Sequence, residues 1–290
     1  MKNAVLTFAA WMARLLPLPV KRALYRFKPL AGAIRGTLNR AAPQGQAQVS
    51  VAAGELAGAR LYLDLHSEKD YWLGTYEPEL QQAVLELIRP GMVVYDVGAN
   101  IGYVSLLLAR RVGSGGSVFA FEALPANLER LRANLALNEF AGIVSVVPCA
   151  VIDAPRPIQF LVGPSGGMGK AQGSAGRQEF GYAQSIQVEG ISLDHFVYSA
   201  GNPPPQAVKM DIEGGEVLAL PGMRRLLLEQ RPLILLELHG PQAGQVVWAT
   251  LKGAHYRICR MQSGYPAVAS LDELDWKAYW VGMPGTPQDR

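Results

Sequence analysis

The most informative segment of the chain reads Tyr95-Asp96-Val97-Gly98-Ala99-Asn100-Ile101-Gly102. It closes the compact apolar run of residues 92–97, which predicts a buried strand, and it opens a helical pattern over residues 102–112. Glycines at such a turn let the backbone approach a ligand closely, and open α/β sheets bind ligands just beyond the carboxyl ends of their strands. The segment therefore predicts a ligand-binding loop between a strand and a helix.

On both sides of this loop, strands and helices alternate along the chain. Apolar runs predict further strands at residues 117–122, 143–147, 207–212 and 233–238. Apolar residues at helical spacing predict helices at residues 78–88, 125–137 and 215–228. Continuous apolar strands separated by helices imply a parallel sheet that is buried on both faces. Right-handed crossovers make this a doubly wound, mostly parallel α/β sheet.

The glycines of the loop argue against a dinucleotide ligand. A dinucleotide fingerprint needs Gly-x-Gly-x-x-Gly, and counting from Gly98 the second and third glycines are replaced by Asn100 and Tyr103. Asp96 instead suits a ligand with a positive group, such as the amino group of S-adenosylmethionine. Glu122 ends the next strand, where an acidic side chain accepts hydrogen bonds from ribose hydroxyls. The two acids predict a cofactor with an amino-acid end and a ribose.

Four blocks of sequence, in this order, resemble the FkbM-type methyltransferases. They are Val94-Tyr95-Asp96-Val97-Gly98-Ala99-Asn100-Ile101-Gly102, Phe119-Ala120-Phe121-Glu122-Ala123-Leu124-Pro125-Ala126-Asn127, Val208-Lys209-Met210-Asp211-Ile212-Glu213-Gly214 and Arg231-Pro232-Leu233-Ile234-Leu235-Leu236-Glu237-Leu238-His239. The resemblance covers about residues 71–260 and implies a class I, Rossmann-like fold that binds S-adenosylmethionine. It also implies methylation of hydroxyl oxygens, often on sugars or polyketides in bacterial biosynthesis. The chain departs from the family at Ala123, where proline is common, and at Met210, where isoleucine is usual, and neither change removes a polar group.

The motifs and the resemblance together assign a set of residues to the cofactor. The set comprises Asp96, Gly98, Ala99, Asn100, Gly102, Glu122, Ala123, Asn127, Ala150, Val151 and Asp211. The family also often has a Gly-x-x-Glu segment like that of residues 74–77, so we expect Tyr76 and Glu77 to cover the cofactor. The alternative for this segment is an aromatic seam that joins the preceding hairpin to the domain.

A hydroxyl acceptor needs a proton acceptor, because a neutral alcohol attacks poorly. Alternate residues of a strand share a face, so Lys209 and Asp211 point to one site on the fourth strand, as do Glu237 and His239 on the fifth. We expect Asp211 to lie nearest the methyl-bearing end of the cofactor. His239 is the preferred catalytic base, since its ordinary pKa is near neutrality. Glu237 either orients His239 or is the base itself.

These side chains have two other interpretations. An acid at a strand end often caps a helix, and Asp211 or Glu213 would then cap the helix predicted from Gly215. The ligand types of Asp211, Glu213, Glu237 and His239 also suit Mg²⁺ or Mn²⁺. Their spacing is not diagnostic of a metal, so we predict no metal site.

The first 45 residues form a basic extension outside the resemblance. The chain has a net charge of +3, yet eight of its lysines and arginines precede Glu55, the first acidic residue, so the remainder carries −5 (3 minus 8). Apolar residues between these cations predict two short amphipathic helices, broken near Pro17 and Pro19. We expect them to contact either an anionic membrane surface, or the main domain or a second subunit. Residues 46–90 then predict a hairpin and a helix that lead into the core.

Residues 91–290 are predicted to form the methyltransferase domain, with a glycine-rich insertion near residues 157–206. The insertion predicts two extra strands, at residues 158–162 and 185–188, with a mobile loop over residues 163–181 between them. Long loops at the strand ends of such sheets often shape a substrate site. The alternative is a plain flexible linker.

Composition restricts the remaining function classes. Cys149 and Cys259 lie in apolar stretches and are expected to be buried free thiols, which excludes a disulfide scaffold. We predict an S-adenosylmethionine-dependent O-methyltransferase of a sugar, glycan, glycolipid or other bacterial product, in the cytoplasm or peripheral to the inner face of the membrane. The alternatives are a nicotinamide-dependent oxidoreductase and a noncatalytic scaffold docked on a membrane. No nucleic-acid partner is expected, because the chain shows no aromatic and basic reading surface.

Overall fold

The computed structural model describes residues 2–17, 20, 24, 27–163, 169–176, 181–182, 184–273 and 278–285. Contacts divide the chain into two compact units. The first consists of Met1–Pro78 with Ala136–Asn138, and the second of Glu79–Leu135 with Glu139–Arg290. The domain boundaries predicted at residues 45 and 90 are a different division of the same region and stay predictions.

The described residues of the first unit form two longer helices, a hairpin and one short helix. Its elements are α1 (Lys2–Leu15), α2 (Lys28–Ala41), β1 (Gln46–Ser50), β2 (Arg60–Asp64) and the short helix α3 (Lys69–Leu73). The two strands pair antiparallel. The guanidinium of Arg14 donates a hydrogen bond of 2.9 Å to the carbonyl of Ala52, which joins α1 to the loop of the hairpin.

The second unit contains two sheets. Its strands, along the chain, are β3 (Val93–Val97), β4 (Ser117–Phe121), β5 (Val144–Val147), β6 (Ala150–Val151), β7 (Arg156–Val162), β8 (Lys170–Ala171), β9 (Gln184–Ile191), β10 (Ala207–Met210), β11 (Leu233–Glu237), β12 (Tyr256–Arg260) and β13 (Tyr279–Pro284). Its helices are α4 (Pro78–Leu87), α5 (Tyr103–Val112), α6 (Pro125–Leu137), α7 (Glu216–Ala219), α8 (Arg224–Glu229) and α9 (Pro241–Gly253).

The larger sheet has seven strands in the order β12-β13-β11-β10-β3-β4-β5. The five strands from β11 to β5 run parallel, and β13 lies antiparallel to both of its neighbours. The prediction of a doubly wound, mostly parallel sheet is confirmed. The chain order reverses between β10 and β3, which is the point where such sheets open a crevice for ligands. The strands β12 and β13 were not predicted.

The helix predicted over residues 215–228 is wrong as a single element. The structure has α7, then a 3₁₀ turn at Leu220–Met223, and then α8. Pro221 has no amide hydrogen for a helical bond, which ends the first helix. The amides of Arg225 and Leu226 donate instead to the carboxylate of Asp194, at 3.0 and 2.8 Å, and this begins the second helix.

The insertion forms the smaller sheet, with strand order β6-β9-β7-β8. The two extra strands predicted there are confirmed, and both are longer than predicted. Of the predicted mobile loop, residues 164–168 and 177–180 lie outside the described residues. Residues 169–176 do not form a plain loop, because β8 pairs with β7 and the amide of Ala175 donates to the carbonyl of Gly214 at 2.9 Å.

An aromatic core holds β3 in the centre of the larger sheet. Tyr95 is fully buried, and its ring lies 5.4 Å from that of Phe121 and 5.6 Å from that of Phe196. Each such pair stabilises the fold by about 0.5–1.5 kcal/mol beyond the burial of its area. The hydroxyl of Tyr95 donates to the carbonyl of Pro203 at 2.6 Å. These contacts fix the strand that leads into the glycine loop.

Cys259 is buried and Cys149 is half-buried, and both thiols are free. Across the part of the chain that the structure describes, no helix has the length and apolar character needed to cross a membrane.

Candidate active site

The glycine loop follows β3 in a conformation that depends on its glycines. Gly98 has a φ of +83° and Gly102 a φ of +91°, a region that glycine adopts without strain. A Cβ on Gly98 would lie 1.9 Å from the carbonyl oxygen of Asp211, so no side chain fits there. The amides of Gly98 and Ala99 donate to the carbonyl of Phe121, at 3.0 and 2.9 Å. The loop is therefore held between the ends of β4 and β10.

Glu122 lies directly after β4 and closes the loop from the other side. Its carboxylate accepts the amides of Asn100 at 2.8 Å and Leu124 at 2.7 Å, and Asn127 is a further hydrogen-bond partner. The residue is only 7% exposed. Burial raises the pKa of Glu122 above its ordinary value, and these donors lower it in part. The carboxylate is thus both a support of the loop and an acceptor at its surface.

Asp96 lies in β3, two residues before Gly98. Its carboxylate is fully buried, accepts the hydroxyl of Ser105 at 2.6 Å and lies 3.3 Å from the Nζ atom of Lys209. Lys209 also donates to the carbonyl of Gly98 at 3.2 Å. Asp96 is not part of the wall of the cavity described below, and its contact with the cofactor's amino group stays a prediction. Asp96 positions Lys209, which holds the glycine loop.

A cavity opens beside the loop. The residues of its wall that were predicted to bind the cofactor are Gly98, Asn100, Glu122, Ala123, Asn127, Ala150, Val151 and Asp211. Two other predicted residues, Ala99 and Gly102, belong to the loop but not to the wall, and a Cβ on Gly102 would press against Leu131. Glu77 belongs to the first unit, and its contact with the cofactor stays a prediction.

The wall contains residues that sequence reasoning did not assign. They are Val97, Phe121, Cys149, Phe160, Gly169, Ala171, Ile212, Glu213 and Gly215. Phe160, Gly169 and Ala171 come from the insertion, whose only signal in the sequence was its position after a strand end. The insertion therefore contributes part of the wall of the cavity.

Acidic side chains surround His239 next to this cavity. Its Nε2 atom lies 3.6 Å from Asp211, 3.8 Å from Glu213 and 3.9 Å from Glu237, measured to carboxylate oxygens. Its Nδ1 atom lies 3.6 Å from a carboxylate oxygen of Glu216, which is fully buried. Lys209 approaches the same cluster, with its Nζ atom 3.7 Å from Asp211. The structure thus brings together His239, Glu237 and Asp211, the three predicted catalytic residues.

The electrostatics of this cluster bear on the choice of the base. Desolvation lowers the pKa of His239, but the carboxylates of Glu216, Asp211 and Glu213 outweigh it and raise the pKa to about 9. Burial, and next the charge of Asp211, raise the pKa of Glu237 to about 7. At neutral pH His239 is therefore an imidazolium without a free acceptor nitrogen. Of the two residues, Glu237 has the pKa better suited to accepting a proton at neutral pH, and the choice of the base stays a prediction.

The alternative roles of these acids can be compared with the geometry. The helix α7 begins after Gly215 without any side-chain cap, so neither Asp211 nor Glu213 caps it. Asp211, Glu237 and His239 each offer one ligand atom within 4.8 Å of the others, a donor set that Mg²⁺ or Mn²⁺ accepts. The cluster therefore fits either an acid–base role or the binding of a metal cation. Removal of metal ions with a chelator distinguishes these two roles.

Comparison with known proteins identifies the family. The Methyltransferase FkbM domain matches residues 96–259, more than half of the chain. The chain is 28% identical to hexuronic acid methyltransferase AglP of Haloferax volcanii over 163 residues, which are 56% of this chain and 62% of that protein, less than two thirds of its length. It is 27% identical to 31-O-demethyl-FK506 methyltransferase FkbM of Streptomyces tacrolimicus over 259 residues, which are 80% of this chain and 90% of that protein.

Among solved structures, a methyltransferase FkbM from Methylobacillus flagellatus is similar, with a TM-score of 0.44 and 20% identity over 75% of this chain and 53% of that chain. The family is one of S-adenosylmethionine-dependent enzymes with the class I α/β fold, which removes the oxidoreductase and scaffold alternatives. With the glycine loop, Glu122 and the family match in agreement, the chain belongs to the FkbM family of S-adenosylmethionine-dependent methyltransferases.

Proposed function

We propose that this methyltransferase acts on a hydroxyl oxygen, and that the hydroxyl belongs to a sugar in a glycan, a glycolipid or another biosynthetic product. The observation that carries the proposal is the distance of 3.6 Å between Asp211 and His239. Asp211 belongs both to the acidic cluster around His239 and to the wall of the cavity, so the cluster lies beside the cavity. A hydroxyl acceptor needs such a proton acceptor beside the reacting carbon.

The cavity beside the glycine loop fits S-adenosylmethionine. Gly98 and Asn100 expose backbone at its wall, and Glu122 supplies a buried carboxylate for the ribose hydroxyls. The small side chains of Ala123 and Ala150 leave room for a flat base. When bound, the cofactor supplies a methyl group on a sulfonium centre, which needs placement more than activation.

Glu237 then accepts the proton of the acceptor hydroxyl. S-adenosylmethionine, which the glycine loop and Glu122 would hold, would supply the methyl group for this oxygen. Asp211, which lines the cavity and lies 3.6 Å from His239, orients the acceptor hydroxyl. The imidazolium of His239, 3.9 Å from Glu237, stabilises the carboxylate form that accepts the proton.

The choice of acceptor rests on the two relatives. One is named for a hexuronic acid and the other for the O-methylation of a 31-hydroxyl precursor. A hexuronic acid offers both hydroxyls and a carboxylate, and a carboxylate would need no base because it is already ionised. The presence of Glu237 with its raised pKa of about 7 supports the hydroxyl.

The test is methyl transfer to uronic-acid glycans, neutral glycans and polyketide alcohols, followed by the formation of S-adenosylhomocysteine. Products are then treated with mild alkali, which cleaves methyl esters and leaves methyl ethers intact. We expect an alkali-stable product whose formation is slowed by Glu237→Gln. An alkali-labile product formed equally well by this variant would show a carboxyl acceptor and reject the hydroxyl.

A further inference from the structure

The first unit carries an unusual share of exposed apolar side chains. Among the described residues, those that are large, hydrophobic and exposed are Phe8, Trp11, Leu15, Val20, Phe27, Leu30 and Leu228. All but Leu228 lie within the first 30 residues, and we call these six the head patch. Soluble surfaces tolerate single exposed apolar residues, but a contiguous group marks a binding surface.

Three of the six residues of the head patch lie on α1. Phe8, Trp11 and Leu15 follow one another at helical spacing of three and four residues, so they share one face of the helix. Their exposed fractions are 61%, 53% and 57%, and the rings of Phe8 and Trp11 are 5.9 Å apart. An apolar groove between α1 and α2, lined by Val5, Met12, Leu16 and Ile34 with Phe8 at its edge, continues this surface.

The segment of sequence that carries the head patch has charges of one sign. No acidic residue precedes Glu55, while eight lysines and arginines do. Of these, Arg14 lies in the last turn of α1 and donates to the carbonyl of Ala52, and Arg35 and Arg40 are exposed on α2. Cations beside an apolar helix face that bears a tryptophan are the combination that binds an anionic lipid surface.

We propose that the head patch docks this enzyme on an anionic membrane surface, with α1 lying in the plane of the lipid headgroups. A second copy of the chain fits less well, because a twofold interface would bring together two copies of a segment with eight cations and no acid before Glu55. Anionic lipids neutralise the same charges. The proposal concerns the first unit alone and does not rest on the identity of the methyl acceptor.

Vesicle flotation of the full-length protein tests this directly. Vesicles of phosphatidylcholine with phosphatidylglycerol are compared with pure phosphatidylcholine, at low and high salt. We expect binding to the anionic vesicles, weakened by salt because the cationic contribution is screened. Phe8→Ser with Trp11→Ser should lower the vesicle affinity about tenfold or more. Arg35→Gln with Arg40→Gln should weaken binding to anionic vesicles and leave neutral ones unaffected.

Leu228→Ser is the matched control, since it removes an equally exposed leucine far along the sequence, and it should leave vesicle binding unchanged. Binding of S-adenosylmethionine by each variant confirms that the second unit is folded. Equal binding of the wild type to neutral and anionic vesicles, or none to either, overturns the proposal. A concentration-dependent dimer in the absence of lipid that Phe8→Ser with Trp11→Ser abolishes would overturn it in favour of a second copy.

Discussion

A Cβ atom on Gly214 would lie only 1.9 Å from the backbone nitrogen of Gly176. The same is true in reverse, because a Cβ on Gly176 would lie 2.1 Å from the carbonyl oxygen of Glu213. The insertion thus docks its backbone against the loop that carries Asp211 and Glu213, and the amide of Ala175 completes the contact with a 2.9 Å hydrogen bond to Gly214. Only glycine allows this approach.

Gly176→Ala should therefore displace the loop after β10. We expect a loss of stability of about 1–3 kcal/mol from the forced shift, and a loss in turnover of about tenfold or more, because small misplacements of catalytic groups are costly. Turnover and cofactor affinity are measured together, and affinity should change less. Gly181→Ala is the control, since a Cβ there meets nothing within 4 Å. Unchanged turnover in a folded Gly176→Ala protein would show that the insertion does not position the site.

Glu122→Gln tests the cofactor cavity. The substitution keeps the shape of the side chain but removes the charge that accepts the amides of Asn100 and Leu124. Hydrogen bonds to a charged group contribute about 1.5–3 kcal/mol, so affinity for S-adenosylmethionine by calorimetry should fall about ten- to hundredfold. Glu129→Gln removes an exposed acid from α6 and should have no effect. Equal affinities for the two variants would mean that Glu122 does not meet the cofactor.

The five parallel strands of the larger sheet could be predicted because they are continuous apolar runs, and each of these is long enough to be recognised without tertiary information. The predicted helix over residues 215–228 was interrupted at Pro221, a signal present in the sequence. The strand β8 has only two residues and forms because β7 offers it a partner, so no local pattern predicts it.

Site residues could be predicted where they lie in a recognisable sequence motif. Contacts between side chains from distant segments of the chain could not. Asn100 and Glu122 belong to adjacent motifs, and both line the cavity. The ion pair of Asp96 with Lys209 was not predicted, because Lys209 reaches Asp96 from another strand. The raised pKa of His239 arises from carboxylates that only the folded chain brings around it. The residue type of His239 alone suggested a neutral imidazole that accepts a proton, whereas the surrounding carboxylates favour the protonated form.

The pH dependence of turnover distinguishes Glu237 from His239 as the base. With Glu237 accepting the proton, activity requires its ionised form, so kcat/KM should rise as the pH passes through about 7, the pKa of Glu237. Glu237→Gln should lower kcat by about 10²–10⁴-fold and remove this dependence. Glu189→Gln, an exposed acid of the insertion, serves as the control. A rise centred near pH 9 instead, kept in the Glu237→Gln variant, would return the role to His239.

Chelation decides between acid–base and cation chemistry in the cluster. If Glu237 is the base, methyl transfer should persist after EDTA treatment and desalting. The proton transfer then needs no metal ion bound by Asp211, Glu237 and His239. The assay compares the treated enzyme with and without added Mg²⁺ or Mn²⁺. Activity that is lost on treatment and restored by either ion would make these three residues metal ligands.

The free energy of unfolding should depend on whether His239 is protonated. Its pKa is about 9 in the folded protein and about 6.5 when unfolded, so folding favours the protonated form. The resulting stability, on the order of 3 kcal/mol, is fully present below pH 6.5 and is lost as the pH rises through 9. The raised pKa of Glu237 also lowers stability with rising pH, but mainly between its ordinary value and about 7.

Any loss of folding stability between about pH 7 and 9 is therefore attributed to the deprotonation of His239. Urea unfolding at several pH values should show the wild type losing stability across this window. His239→Gln should lose much less, because it has no proton to release, and His195→Gln, which changes an exposed histidine, should behave like the wild type. Parallel curves for the wild type and His239→Gln would mean that the imidazole is not held as a cation among Asp211, Glu213 and Glu216, and the assignment of Glu237 as the base would lose its electrostatic support.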